Sequence, residues 1–452
     1  KFPGLLHRTP YDKRSAQSTI GDIDAIHAAM EGYAVVIQDI RGRILSDGEF
    51  YTFVNEIDDG YDSVEWVAAQ PWCSGKVGMY GTSYVGATQW LAAIAKPPSL
   101  VAIAPGVTAS NYHDGWVWQG GAFELGFSLS WASMLAAGNW THPSRAKLLS
   151  LSQQEAITAA QEDLMSCYNY LPLQDITHLE RDVAPYYLDW LSHPDYDEYW
   201  KKISIEEFHA MIDIPAFNYG GWQDIFLKGT IRNFVGMNRL GGSDEARKGQ
   251  RLVIGPWDHN NANKEGGAII GGYDFGSSSS GAAVGLQGLL LNFFDYWLKG
   301  ETNGIMDEKP VQIFVMGENV WRLEDEWPLK RAVDVNYYLH SEGKANTLNG
   351  DGILNPEMPL SEPTDTYLYN PMNPVPTSGG GLCCDAINLG SGVHNQKCVE
   401  ERSDILVYST PPLDHDTEVT GPITVTLFAS SSAQDTDFTG KLVDVDPCGF
   451  AR

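Results

Sequence analysis

Gly78-Met-Tyr-Gly81-Thr-Ser83-Tyr-Val-Gly86 joins two patterns that rarely meet without a loop between them. Upstream, Lys76-Val-Gly-Met-Tyr80 reads as a short strand; downstream, Tyr84 to Ala95 is apolar and rich in alanine, as a buried helix is. A strand that passes straight into a helix with serine at the turn needs small neighbours, because the backbone there is strained, and Gly81 and Gly86 supply them. Such a turn lifts the Ser83 hydroxyl to the sheet edge at a helix N-terminus. The helix dipole and the Tyr84 amide then favour a developing oxyanion, which is the chemistry of nucleophilic attack on an acyl carbon. One departure matters: the spacing G-x-S-x-G asks for glycine at position 85, where Val85 stands, and glycine follows one residue later.

The same alternation extends on both sides. Tyr33-Ala-Val-Val-Ile-Gln38 is a continuous β-branched run suited to a strand covered on both faces, preceded by an amphipathic stretch from Gly21 to Met30 that predicts a helix. Asp59 to Ala69 predicts a helix that opens on acidic residues and closes ahead of Pro71. Strand and helix in this rhythm predict an α/β fold with a parallel, doubly wound sheet. From about 109 to 210 helical patterns dominate, including Ser152 to Leu164 and a capping-box pattern at Ser204-Ile-Glu-Glu207, with Trp116, Trp118, Trp131, Trp140, Trp190 and Trp200 among them. This stretch reads as a helical cap inserted in the sheet domain. The sheet rhythm returns with strands at Ile214 to Tyr219 and Arg251 to Gly255 and ends on a helix from Leu286 to Leu298. Beyond about Pro310, short β patterns at Val311 to Met316, Ile405 to Tyr408 and Ile423 to Phe428 predict a sandwich or jelly roll. The expected division is 1–108 with 211–308 for the sheet domain, 109–210 for the cap and 309–452 for the β domain.

A serine hydroxyl needs a base and an acid to orient that base, and in this kind of fold they follow in the order Ser, Asp or Glu, His, at the ends of later strands. Of the 11 histidines, His259 stands directly after the strand that begins at Arg251, whereas the others, His142 in the cap included, read as surface or packing residues. Asp224, just beyond the strand Ile214 to Tyr219, is the preferred acid. Asp258 is its rival, weakened by being next to the histidine in sequence. An oxyanion site needs two donors. The Tyr84 amide is one; Tyr11, in Arg8-Thr-Pro-Tyr11-Asp-Lys13 at the end of the first strand-like segment, offers a hydroxyl where Pro10 has no N–H.

Composition narrows the classes further. The net charge of −28 over 452 residues repels phosphate backbones and argues against nucleic acid as a partner. No apolar run approaches the length of a membrane span, and neither H-E-x-x-H nor H-x-x-E-H occurs, so neither a membrane partner nor a metal or other cofactor is expected. Six cysteines do not make a disulfide scaffold in a chain of this length, and Cys383 and Cys384, being adjacent, are expected to bridge each other rarely. Lys1-Phe2-Pro3-Gly4-Leu5-Leu6 reads as the approach to a strand, and Lys441 to Arg452 as the middle of a strand pattern, so both ends read as internal to a longer chain. Homodimerisation is left open.

With these residues in view, the chain resembles the family of bacterial cocaine esterases, glutaryl-cephalosporin acylases and X-Pro dipeptidyl peptidases. The resemblance runs from RTPYDK through YAVVIQDIRGR, DGYDSVEWVAAQPWCSGKVGMYGTSYVG, GGWQDIF and GPWDH to SSSAQDTDFTGKLVDV. The elbow of that family is G-x-S-Y-x-G, which Gly81 to Gly86 matches. The resemblance implies an α/β-hydrolase domain, a helical cap and a C-terminal jelly roll. It also implies a triad of Ser83, Asp224 and His259, an oxyanion site of Tyr11 and the Tyr84 amide, and an aromatic acyl pocket of Trp116, Trp131 and Phe226. Cys383 and Cys384 stand where esterases of the family carry bulky apolar pocket residues. The α-amino acid ester hydrolases of the family have Glu at the position of Val85, which points this chain away from amino-acid esters. The expected activity is cleavage of small-molecule esters or amides through an acyl-enzyme. X-Pro dipeptidyl peptidase, β-lactam side-chain acylase, or a binding protein on a dead hydrolase core are the alternatives.

Overall fold

The computed structural model describes residues 1–139, 147, 149–261, 267–385 and 387–452; Trp140 and His142 lie outside them. The apolar runs form strands β1 (Phe2–Thr9), β2 (Ala34–Asp39), β3 (Cys73–Thr82) and β4 (Leu100–Gly106). Between β2 and β4 come helices α1 (Glu56–Ala68) and α2 (Tyr84–Ile94). After α3 (Leu125–Gly138) and α4 (Leu151–Glu162), the alternation resumes with β5 (Phe217–Gln223), α5 (Leu227–Leu240), β6 (Arg251–Asp258), α6 (Leu286–Phe294), β7 (Val311–Val315) and β8 (Val320–Glu324). The main sheet has the order β8-β7-β6-β5-β4-β3-β1-β2. All its neighbours are parallel except β7 with β8.

Because side chains alternate across a strand, the sheet buries two cores. Leu5 packs with Tyr80, Phe294 and Leu298 on one side, while Leu6 packs with Met79, Trp90 and Leu91 on the other. The chain order reverses between β1 and β3, which lie side by side. In sheets of this kind a ligand sits beyond the carboxyl ends of strands at that reversal, and both Tyr11 and Ser83 follow strands that end there.

The crossing of α2 over β4 leaves no room at Gly86, where a Cβ would lie 2.8 Å from Thr108 Cβ and 2.9 Å from the Gly106 carbonyl oxygen. Gly86→Ala is therefore expected to lower stability by about 1–3 kcal/mol through overpacking, read as a fall in the urea midpoint. An unchanged midpoint would mean that the helix can lift off the strand freely.

Several elements differ from expectation, each for a local reason. Only Ala25–Met30 of the stretch from Gly21 is helical, because Asp24 caps it by accepting from the Ile26 and His27 amides. The pattern at Ser204 does not start a helix: Ser204 Oγ donates to the Trp200 carbonyl (3.0 Å) and Ile205–Glu207 is one 3-10 turn. A capping box does form at Ser150, with Gln153. The run from Val311, expected from its pattern in the C-terminal β domain, forms β7 and pairs in parallel with β6. Its apolar side chains Val311, Ile313 and Phe314 are buried there. The helix from Leu286 continues past Phe294 as a π-turn to Lys299, closed by Gly300 at φ 78°.

Two compact units emerge: residues 1–270 with 274–324 and 381–392, and residues 271–273 with 325–380 and 393–452. In the second, β9 (Tyr338–His340) and β10 (Ile353–Asn355) pair antiparallel. The Asp365 carboxylate there gathers Ser341 Oγ, the Ala345 amide and the Tyr408 hydroxyl. The expected strand at Ile405 to Tyr408 contributes one isolated bridge, from Leu406 to Asn346, and Ile423 to Phe428 forms none. A strand exists only where a neighbour takes its backbone hydrogen bonds, and among the described residues none pairs with it. No helix of the described residues is long and apolar enough to cross a membrane.

Candidate active site

Ser83 occupies the one position between β3 and α2, at φ 61° and ψ −124°. A non-glycine residue in that region is strained, and the surroundings hold it. The Ser83 amide donates to the Gly106 carbonyl (2.9 Å), and the Ser83 carbonyl accepts from the Ala87 amide (3.0 Å). Gln89, buried in the Ala-rich helix, locks the turn from below. Its side chain donates to the Gly81 carbonyl (2.9 Å) and accepts from the Ala104 amide (3.0 Å). The Ser83 side chain makes no cap bond with its own helix. It turns instead to His259, with 2.9 Å from Oγ to Nε2.

His259 follows β6 directly, and Asp224 follows β5 directly. Their side chains are buried, and Asp224 Oδ1 lies 2.7 Å from His259 Nδ1. A carboxylate at Nδ1 keeps the proton on that nitrogen, so the Nε2 lone pair faces the serine. Asp258, the rival acid, is engaged elsewhere. Its carboxylate accepts from the Asn260 amide (3.0 Å), Asn261 Nδ2 (2.7 Å) and Ser391 Oγ (2.6 Å).

On the facing side, Tyr11 is carried by the loop after β1. Thr9 Oγ1 accepts from its amide (3.0 Å), and buried Arg43 ties the Pro10 carbonyl (3.0 Å) to the Leu135 carbonyl of α3 (2.7 Å). The Tyr11 oxygen accepts from Trp131 Nε1 (3.0 Å). That bond uses the hydroxyl oxygen as an acceptor and does not use its proton. Burial pushes the Tyr11 hydroxyl up to about 12, against the opposing influence of Trp131, Arg43 and Ser83.

Aromatic rings close the far side. Trp116 stacks on Phe226 with centroids 4.1 Å apart and meets Trp131 edge-on at 5.3 Å. Phe226 in turn meets His259 edge-on at 5.1 Å. All three rings are fully buried. Cys383 belongs to the same core, with Cys384 packed against it.

Those two cysteines are joined as a disulfide, contrary to the expectation for adjacent residues. The bridge falls where the chain turns with Cys384 at φ 74°. The segment that carries it passes close to Asp224 and is tied by two hydrogen bonds. A Cβ at Gly381 would lie 3.1 Å from the Asp224 carbonyl, the Asp385 carboxylate accepts from the Tyr168 hydroxyl (2.9 Å), and Ser391 reaches Asp258.

Ser83, His259 and Asp224 are thus in hydrogen-bond contact, and Phe226, Trp116, Trp131 and Tyr11 follow on from His259 through ring contacts and one hydrogen bond. Sequence reasoning missed the residues that hold them: Gln89, Arg43 and the buried pair Arg8–Glu56. The available signal was a polar side chain inside an otherwise apolar pattern. Among the described residues no group of three or more His, Cys, Asp and Glu converges as a metal site would require.

Residues 1–261 match the family described as X-Pro dipeptidyl-peptidase (S15 family), and residues 303–452 match the X-Pro dipeptidyl-peptidase C-terminal non-catalytic domain. The chain is 38% identical over 456 aligned positions to a cocaine esterase of Rhodococcus sp. (strain MB1 Bresler), covering 99% of this chain and 76% of that protein. Two solved structures share the fold at 23% identity. An α-amino acid ester hydrolase aligns over 93% of this chain and 69% of its own at a TM-score of 0.67. An aminopeptidase from the marine sediment archaeon Thaumarchaeota archaeon aligns over 91% and 68% at 0.66. The family match covers more than half of the chain and the esterase match nearly all of it, so this chain is an enzyme of the X-Pro dipeptidyl-peptidase (S15) family.

Proposed function

We propose that this chain is a serine hydrolase that cleaves carboxylic esters through an acyl-enzyme on Ser83. The observation that carries the reading is the unbroken line from Asp224 Oδ1 through His259 to Ser83 Oγ, with contacts of 2.7 and 2.9 Å. His259 Nε2 takes the hydroxyl proton as Oγ attacks the acyl carbon, while Asp224 stabilises the imidazolium that forms. The Tyr11 hydroxyl and the Tyr84 amide donate to the oxyanion. Its collapse expels the alcohol, which receives the proton from His259, and water then hydrolyses the acyl-enzyme by the same route.

Trp116, Trp131, Phe226 and the Cys383–Cys384 disulfide are assigned to the acyl side of the site, a rigid apolar wall that suits an uncharged, planar acyl group. Val85 in the elbow adds no carboxylate for a substrate ammonium. A cap at 109–210 and a jelly roll in the C-terminal part are kept in the same reading, with β7 and β8 now counted in the sheet domain.

An ester is preferred over an X-Pro amide on two grounds: the esterase among the relatives at 38% identity, and the apolar character of the wall. Assayed side by side, aryl benzoate and acetate esters should exceed X-Pro p-nitroanilides by about 100-fold or more in kcat/KM, the scale on which a site separates substrates that it is built to bind from those whose polar groups it leaves unpaired. Equal or greater turnover of the X-Pro amides would replace this reading with the peptidase one.

A further inference from the structure

We infer that Glu56 is a positioning residue that couples the two halves of the oxyanion site. This rests on the serine-hydrolase reading above. Glu56 opens α1, at the helix end where backbone N–H groups favour a carboxylate. It is fully buried, with one oxygen for each half of the site. Glu56 Oε2 accepts from Arg8 Nη1 (2.7 Å), and Glu56 Oε1 accepts from the Tyr84 hydroxyl (3.1 Å).

Arg8 lies in β1, three residues before Tyr11. Its Nε donates to Gln38 of β2 (2.9 Å), and its carbonyl accepts from Thr88 Oγ1 of α2 (3.3 Å). Tyr84 follows the serine, and its amide is the second donor. Its ring stacks on Phe53 at 4.9 Å, and its oxygen accepts from the Phe53 amide (2.9 Å). One carboxylate therefore holds the far end of the residue whose amide meets the oxyanion, together with the strand that delivers the other donor.

Stability is a weak reason for such an arrangement. Removing a carboxylate and a guanidinium from water costs much of what their attraction returns, and apolar packing would stabilise the core as well. What the pair supplies is a fixed distance between β1 and the start of α2. Oxyanion donors act only when placed within tenths of an ångström of the developing charge.

Glu56→Gln and Tyr84→Phe, each nearly isosteric, test this alongside the double variant and Ser83→Ala. Active sites are counted with a fluorophosphonate probe incubated to completion, and kcat is expressed per labelled site on an aryl ester. The expected result is near-stoichiometric labelling with kcat per site lower by about 10-fold in each single variant. KM should change by less than about 2-fold, and the double variant should be little worse than either single one, as coupled residues behave. A kcat per labelled site equal to that of the parent protein, with only the labelled fraction reduced, would make Glu56 structural and overturn the inference. So would a double variant whose losses multiply. Absent labelling of the parent protein would overturn the serine-hydrolase reading itself, a result that these variants cannot mimic.

Discussion

Ser83→Ala loses ester hydrolysis by on the order of 10⁴- to 10⁶-fold in kcat, the range seen when a nucleophile that acts as part of a triad is removed. The size follows from geometry. His259 has one partner for Nδ1 and one for Nε2, so removing Oγ leaves the base with no proton to take and the acyl carbon with no attacking atom. What survives is the donor site and whatever binding the aromatic wall provides. The fold is expected to persist, since alanine has the same Cβ as serine at φ 61° and the hydroxyl makes no cap bond. A circular dichroism spectrum and melting temperature like those of the parent protein check that point. His259→Ala should fall into the same range, and Asp224→Asn by about 10⁴-fold, because an amide there favours the wrong imidazole tautomer. Combined losses should not multiply, since the three act as a unit. Full turnover of a chromogenic ester by Ser83→Ala would remove the nucleophile from the mechanism.

The site was legible in the sequence to the degree that its chemistry leaves local marks. A strand that becomes a helix with no loop requires small residues on both sides of Ser83, and that requirement is written within nine positions. Asp224 and His259 were found by rule, as the polar residues immediately beyond two later strands. The choice of Asp224 over Asp258 rests on position too; in the structure Asp224 lies against His259, while Asp258 turns to Asn260, Asn261 and Ser391. What stayed hidden depends on pairs far apart in the chain. Arg8 with Glu56, or Arg43 with Pro10 and Leu135, leave no periodicity and no motif, only a charge in an apolar setting. The run from Val311 was placed in the wrong layer because its β-branched pattern suits any buried strand, and its partner β6 lies some sixty residues earlier. Ser204 shows the reverse error, a local pattern overruled by a hydrogen bond to Trp200.

Tyr11→Phe is expected to reduce kcat by about 100-fold or more while leaving KM within a small factor, because in the proposed mechanism it removes one oxyanion donor and nothing that contacts the ground-state ester equally well. The ring remains to pack, so the melting temperature should barely move. The proposed role is compatible with the bond to Trp131, in which the hydroxyl oxygen accepts from Nε1 at 3.0 Å and its proton is not used. Its ionisation sets a further condition. A tyrosinate cannot donate, and a tyrosine at its ordinary value would begin to lose its proton near pH 10. Burial moves this one up to about 12. The sign is clear: below that value the group is protonated, so the donor persists across the whole range in which an esterase is assayed. The alkaline limb of kcat should therefore show no step near pH 10 in the parent protein, and Tyr11→Phe should lower the curve at every pH without changing its shape. A loss confined to high pH would mean that Tyr11 acts as an ionising group and not as a fixed donor. A Tyr11→Phe variant with undiminished kcat would assign the second oxyanion donor to another group.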